Sequence, residues 1–544
     1  MRHLSDPISL TERSRRRHPK HRNTSPLPCP TNIESEAPAS ETPVSSYGQI
    51  LKSSSILGGA QGLNLLIAMV RTKVVAMLLG PGGIGMVSLY QSMTTMVGTI
   101  AGLGVASSGV REVAEACMSK DQQRIAISSR ILIRLSWITG GGAWILTAAL
   151  SYPLSQWMFS SHEHAFEIAV LGASLLLTTL SGGQMALIQG MRRIGDIARI
   201  QILSMAVGTV VAIALYAWLK EKGIVPVLLT STAIGLAFSG FYASRIPQAE
   251  TTLDWKQTFA GSKRLISLGV AFMWSAILTA GVAFATRFII TRDLGIEANG
   301  IFQSAWGISG MFAGFILSAM GTDFYPRLTA SSHDHALMNR MVNEQTEIGI
   351  LLALPGLLGT MVFAPLIMKF FYTSKFLAGA ELLPWLVIGV FGRVISWPMG
   401  FIQLAKGASR CFAFTETLAN FLHLLLVIVL LRLSGLSGAA LAFAILYGVY
   451  TIGMLMVSHH LTEFRWSAQN LRLLGLASIL MLVAFFGQRH LPINSSFILG
   501  ASITAASAMI SLRGIAYRLD SNHRLLRLAG HIPGVRWICG IQKS

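Results

Sequence analysis

Arginine and lysine set inside long apolar runs suit one task above others: holding an anion where water is scarce. The stretch AMVRTKVVAMLLGPGGIG (68–85) places Arg71 and Lys73 in such a run, and TRFIITRDLGIEANG (286–300) repeats the layout with Arg287. Arg393 lies mid-run between Pro384 and Pro398 with no acid near it in sequence, and Arg134 stands one turn inside a further run. An arginine presents paired donors that match phosphate oxygens, so a diphosphate is an expected ligand class. Gln61, Asn64, Ala68 and Arg71 follow steps of 3, 4 and 3 residues and share one helical face. Such a polar stripe should face an aqueous cavity, with Arg71 as its cation. Lys73 lies about 200° further round. It either joins the cavity or snorkels to the outer interface, and Arg287 carries the same two readings. Arg393 either binds the anion or pairs with a remote carboxylate. Arg134 either binds it or anchors its helix at the interface.

A second set of residues could move a proton or a cation. Glu416, Asn420 and His423 are spaced i, i+4, i+7 on one face, and His423 can change charge near neutral pH. Together with Asp323 they could relay H+ or Na+. A plain interhelical hydrogen-bond network would use the same residues, and Asp323 could equally pair with a cavity arginine or cap a loop. No organic cofactor is expected. The glycine-rich GPGGIG (80–85) follows an apolar run with no strand before it, so it reads as a tight turn rather than a nucleotide loop. No P-loop, CxxC or Cys/His cluster is present to suggest ATP or a metal.

These side chains need helices to carry them. Of the 544 residues 52% are hydrophobic and only 12% charged, with a mean hydropathy of +0.57. Many runs reach the roughly 20 residues that cross a bilayer. Gly, Pro and charge clusters divide them into fourteen expected helices near 53–79, 86–108, 130–150, 165–190, 197–219, 223–245, 266–291, 300–323, 348–371, 378–405, 411–432, 436–458, 471–487 and 493–512. With the amino terminus inside, basic residues of the inner loops outnumber those of the outer loops by seventeen to seven. That bias places both termini in the cytoplasm and assigns the formal charge of +19 to topology and anionic lipid rather than nucleic acid. Residues 1–47 and 513–544 read as basic cytoplasmic tails, the first of them disordered. The outer loops are short; the longest, SYPLSQWMFSSHEHA (151–165), offers only His162, Glu163 and His164, which read as solvated decoration.

An internal repeat organises the rest. Leu79, Gly80 and Gly85 match Leu294, Gly295 and Gly300 at an offset of 215, and Ile188-Gln189 matches Ile402-Gln403 at 214. The expected fold is all-α and polytopic: two pseudo-symmetric six-helix bundles, 48–250 and 251–460, around a central cavity, plus an extra helix pair in 461–512. Six being even, the halves share one orientation, and such halves enclose a path whose access alternates. The stretch TKVVAMLLGPGGIGMVSLYQSMTTMVGTIAGLGVASSGVREVAEA (72–116) resembles the amino-terminal signature of Wzx-type O-antigen translocases, the likeness being strongest over 70–115. These are polysaccharide transporters of the multidrug/oligosaccharidyl-lipid/polysaccharide exporter superfamily, and the likeness extends over about 48–458. It implies flipping of an undecaprenyl-pyrophosphate-linked oligosaccharide across a bacterial inner membrane, with glycosyltransferases and a polymerase as possible partners. The basic amino tail and the extra pair depart from the usual pattern. Lipid II flippases of the same superfamily have fourteen helices, so that substrate stays open. A cation-coupled multidrug exporter is disfavoured by a cavity richer in Arg and Lys than in acids, and a membrane glycosyltransferase or polymerase by the short outer loops.

Overall fold

Glycine and proline decide where the first helix breaks. The computed structural model describes residues 44–119, 122–246 and 253–518, with the side chains of 44–58, Asp323 and some others outside the description. Helix α1 runs Val44–Gly102, 59 residues, but Gly80 at φ 65, ψ −170 divides it. That backbone is open essentially to glycine alone, and Pro81 then starts the following helix, where its missing N–H is not needed. The chain continues through α2 (Val105–Met118), α3 (Gln122–Ala149), α4 (Ser151–Phe159), α5 (Ala165–Gly190), α6 (Ile194–Leu219) and α7 (Ile224–Ala243). The second half comprises α8 (Trp255–Leu294), α9 (Ile296–Ala330), α10 (His335–Val362), α11 (Ala364–Phe371), α12 (Leu383–Ala405), α13 (Ser409–Ser434) and α14 (Leu436–Thr462), followed by α15 (Ala468–His490) and α16 (Ile493–Arg518).

Among the described residues, eleven helical stretches are long and apolar enough to cross a bilayer. Two of them are double: 59–102 breaks at Gly80, and 194–243 breaks at the 3₁₀ turn Lys220–Gly223. Eleven plus two gives thirteen, and the 35-residue α9 makes the fourteenth. Large apolar side chains stand outward on these helices, as lipid requires, among them Ile145, Phe166, Trp218 and Leu433. The chain is a multi-pass membrane protein.

The repeat is visible in the turns. Gly80, Arg192 and Lys220 have positive φ, and so do Gly295, Gly407 and Gly435, each 215 residues on. At the second pair even the hydrogen bonds coincide. The N–H of Arg192, Arg193 and Ile194 donate to the carbonyls of Gln189, Ile188 and Arg192, and the N–H of Gly407, Ala408 and Ser409 donate to those of Leu404, Gln403 and Gly407.

The extra pair is fixed to the second half through α10. Asn343 accepts at Oδ1 from the Ser467 N–H (2.8 Å) and from Asn470 Nδ2 (2.9 Å), and donates to the carbonyls of Asn339 and Arg465. At the other end of α15, Gln488 Nε2 donates to the carbonyls of Met361 and Val362 at 2.7 and 2.9 Å. Most expected helices fall where the sequence put them, but three polar or short ones were not expected. The inner overhang of α10 begins thirteen residues before the anticipated 348, its polar face HALMNRMVNEQTE giving no membrane signal. Segment 151–159 is helical rather than loop, and α2 is a separate amphipathic helix. The tails expected at 1–47 and 513–544 lie mostly outside the described residues, although helix already begins at Val44 and persists to Arg518.

Candidate functional site

A cavity of about 380 Å³ opens inside the second half, lined by residues of α8, α9, α12, α13 and α14. Five of the residues singled out in the sequence line it: Arg287, Arg393, Glu416, Asn420 and His423. The helical spacing of the last three does place them on one face of α13, as their register requires. Aromatic rings form much of the remaining wall, including Trp306, Trp397, Phe443, Tyr447 and Tyr450.

The two arginines of this cavity are in opposite situations. Arg287 is 9% exposed and fully engaged. Its Nε and Nη2 donate to Gln303 Oε1 at 3.1 and 2.7 Å, and its Nη1 donates to the Ala283 carbonyl at 2.8 Å. Arg393, at the middle of α12, is exposed to the cavity, and its guanidinium makes no hydrogen bond or ion pair with the described residues. Pro398 sits on the same helix one turn further on. A guanidinium left without a partner at membrane depth is costly unless water or an anion meets it.

Glu416 is the carboxylate of the site. Its Oε2 accepts from Ser275 Oγ at 2.9 Å and its Oε1 from the Tyr450 hydroxyl at 3.2 Å, so it joins α8, α13 and α14. Asn420 donates to the Glu416 carbonyl at 2.9 Å. His423 sits 5.9 Å, ring to ring, from Phe443. Among the described lining residues, two guanidinium groups face one carboxylate. The side chain of Asp323 lies outside the described residues.

The other expected cations do not line this cavity. Arg71 is half-buried on α1 beside the buried Tyr216 of α6, with no hydrogen bond or ion pair among the described residues. The stripe below it faces α6: Gln61 Nε2 donates to Gln201 Oε1 at 3.4 Å, and Asn64 Oδ1 is buried without a partner. Lys73 neither faces the cavity nor snorkels. Its ammonium donates to the carbonyls of Lys369, at 2.8 Å, and Tyr372, binding α1 to the C-terminal end of α11. Arg134 donates to the Leu253 carbonyl (3.1 Å) and Thr258 Oγ1 (2.8 Å) with Trp255 5.0 Å beneath it, an anchor between α3 and α8. In this conformation Arg71, Lys73 and Arg134 thus do not meet Arg287 and Arg393 in one chamber: Arg134 takes the anchor alternative, and Lys73 is satisfied by backbone carbonyls.

Sequence reasoning also missed several partners. Gln303, Ser275 and Tyr450 orient the charged groups from other helices, and no local pattern marks them. His164, read as decoration, is half-buried at the start of α5; its Nδ1 lies 2.8 Å from Glu167 Oε2, which also accepts from the Tyr90 hydroxyl at 2.5 Å.

The family model for polysaccharide biosynthesis proteins matches residues 74–381, more than half of the chain. The lipid III flippase of Escherichia coli (strain K12) is 22% identical over 406 residues, covering 72% of this chain and 92% of that one. Among solved structures, the lipid II flippase MurJ in an inward closed conformation has a TM-score of 0.63 at 14% identity, over 86% of this chain and 99% of that one. An inward-facing multidrug resistance MATE-family transporter of the MOP superfamily has a TM-score of 0.58 at 16% identity, over 74% and 96%. Both likenesses are likenesses of fold.

Proposed function

The chain belongs to the polysaccharide biosynthesis protein family, and from that premise we propose that it flips a polyprenyl-pyrophosphate-linked oligosaccharide across the bacterial inner membrane. The observation that carries this reading is Arg393: a guanidinium facing an aromatic-walled cavity at membrane depth with no partner of its own. A phosphate oxygen pair fills that vacancy in bonding with two parallel N–H···O contacts. Arg287, held rigid by Gln303, adds a second fixed positive charge, and the aromatic walls suit the apolar faces of a sugar. Positive charge near the diphosphate lowers the desolvation penalty of carrying it through hydrocarbon.

In this reading the halves 48–250 and 251–460 alternate access to the substrate path, and both termini are cytoplasmic. Arg71, the one expected cation of the first half still free, faces the path in another conformation. Glu416, Asn420 and His423 couple the cycle to H+ or Na+. Glycosyltransferases and a polymerase acting on the same lipid-linked glycan are the natural partners. Lipid II is the competing substrate, favoured by the fourteen crossings. A multidrug exporter is the weaker alternative, since the cavity carries more guanidinium than carboxylate.

The test is a sidedness assay. Purified protein in vesicles is given a labelled polyprenyl-pyrophosphate oligosaccharide, a labelled lipid II, and an organic cation in parallel. Movement of the first to the opposite leaflet without any new glycosidic bond supports the proposal. Bond formation would make the protein a transferase, and movement of only lipid II or the cation would reassign the substrate.

A further inference from the structure

Among the described residues, two pairs of glycines bring the halves together backbone to backbone. At the first, a Cβ on Gly85 would lie 2.0 Å from the Ile296 carbonyl oxygen, and a Cβ on Gly300 would lie 1.9 Å from the Pro81 carbonyl oxygen. The two contacts are equivalent under the offset of 215, so a pseudo-twofold axis passes between Gly85 and Gly300. Asn299 Nδ2 bridges the seam to the Gly85 carbonyl (2.9 Å) and Ser88 Oγ (3.0 Å). At the second place, a Cβ on Gly104 would lie 2.2 Å from the Gly269 carbonyl oxygen, and one on Gly269 would lie 2.3 Å from that of Leu103. From Gly85 to Gly104 the chain is mostly helix, about 28 Å at 1.5 Å per residue, close to the thickness of the hydrocarbon core. The contacts therefore sit at opposite membrane faces, one beside the turns at Gly80 and Gly295, the other where α1 gives way to α2.

Interfaces of this make are well suited to opening. Small residues let backbones approach closely enough for dispersion and weak Cα–H···O contacts to hold them. The glycines bring no charged group to the seam, and the cations that cross it among the described residues, Lys73 and Arg134, bond only to carbonyls and a hydroxyl, which water can replace as the halves part. Resting on the alternating-access reading above, we propose that Gly85/Gly300 and Gly104/Gly269 are the two gates of the molecule, both shut here, and that each opens while the other stays closed. The conformation described is then the occluded intermediate.

Alanine at one position of each pair tests this. Both Gly300 and Gly269 lie in helical backbone, so an added methyl acts by steric wedge alone. A reporter Ala419→Cys in the cavity wall is labelled with a membrane-impermeant maleimide from each face in turn, against the background of the same chain without the reporter. An open state held at roughly 0.1–10% leaves room for at least a tenfold rise in labelling. Gly300→Ala is expected to raise it only from the face of the Gly80 and Gly295 turns, and Gly269→Ala only from the opposite face. Asn299→Ala and Arg134→Met, which remove seam bonds without adding a wedge, should act in the same two directions more weakly if the alanine variants fail to fold. Labelling that rises from one face for both variants, or from neither, overturns the gates. A chain that flips the lipid-linked glycan yet shows unchanged labelling loses the gates and keeps the function. One that labels as expected but flips nothing keeps the gates and loses the function.

Discussion

Arg287 and Arg393 carry the same charge into the same cavity, yet their removal should have opposite consequences. Arg287→Ala deletes three hydrogen bonds and orphans Gln303 Oε1 in a site that is 9% exposed. Bonds to charged groups contribute about 1.5–3 kcal/mol each in soluble proteins, but interhelical bonds in membranes average nearer 0.6. Over three bonds the membrane figure gives a loss of about 2 kcal/mol in stability and the low end of the soluble figure about 4.5 kcal/mol. Arg393→Ala breaks no bond to the described residues, so its effect on stability should stay within about 0.5 kcal/mol. Its effect on substrate should be the larger one. Two N–H···O bonds to a pyrophosphate, taken at the low end because the cavity is wet, sum to about 3 kcal/mol, or roughly a hundredfold in affinity. Arg393→Lys keeps the charge without the fork and should fall between. The assay pairs thermal unfolding in detergent with the half-saturating concentration of lipid-linked substrate for flipping in vesicles. If Arg393→Ala unfolds as readily as Arg287→Ala while half-saturation is unchanged, Arg393 is structural and the ligand assignment is wrong.

Three further outcomes follow from the geometry. Lys220 sits at φ 52, ψ −128, where its repeat counterpart is Gly435; Lys220→Gly should relieve about 1 kcal/mol of strain and raise the unfolding temperature. Glu416→Gln keeps an acceptor for one of Ser275 and Tyr450, offers its amide N–H to the other hydroxyl oxygen, and drops the charge. Flipping should persist while its response to an imposed pH or Na+ gradient disappears, and an unaltered gradient response would remove Glu416 from coupling. Asn343→Ala severs four bonds, two of them to the 463–467 segment at Arg465 and Ser467. Hydrogen exchange there should accelerate with substrate affinity unchanged.

The fold was legible because membrane helices announce themselves by length and composition. Ala165–Gly190 was anticipated at both ends, bounded as it is by polar loops. The repeat was legible because Gly80 and Gly295 occupy a backbone region that other residues avoid, so the same turn needs the same residue twice. What stayed hidden was pairing across helices. Arg71, Lys73, Arg287 and Arg393 look alike in sequence, yet carbonyls of a distant segment capture Lys73, Gln303 captures Arg287, and Arg393 is left open. Those differences arise from which neighbour the fold brings alongside, and no spacing within one helix encodes that. The α13 trio was the favourable case, because its members share a helix and register alone decides that they face the same way.

Asn343 and Gln488 fasten α15, with α16 beside it, to one half of the molecule at both ends of its span. That gives the second half two membrane helices that the first half has no counterpart for. Any tilt of the second half drags two more helices through the acyl chains and carries their ends past the headgroups. Thickness mismatch is penalised by fractions of a kcal/mol per ångström. The balance between tilted states should thus shift with lipid chain length, giving the membrane itself a hand on the cycle.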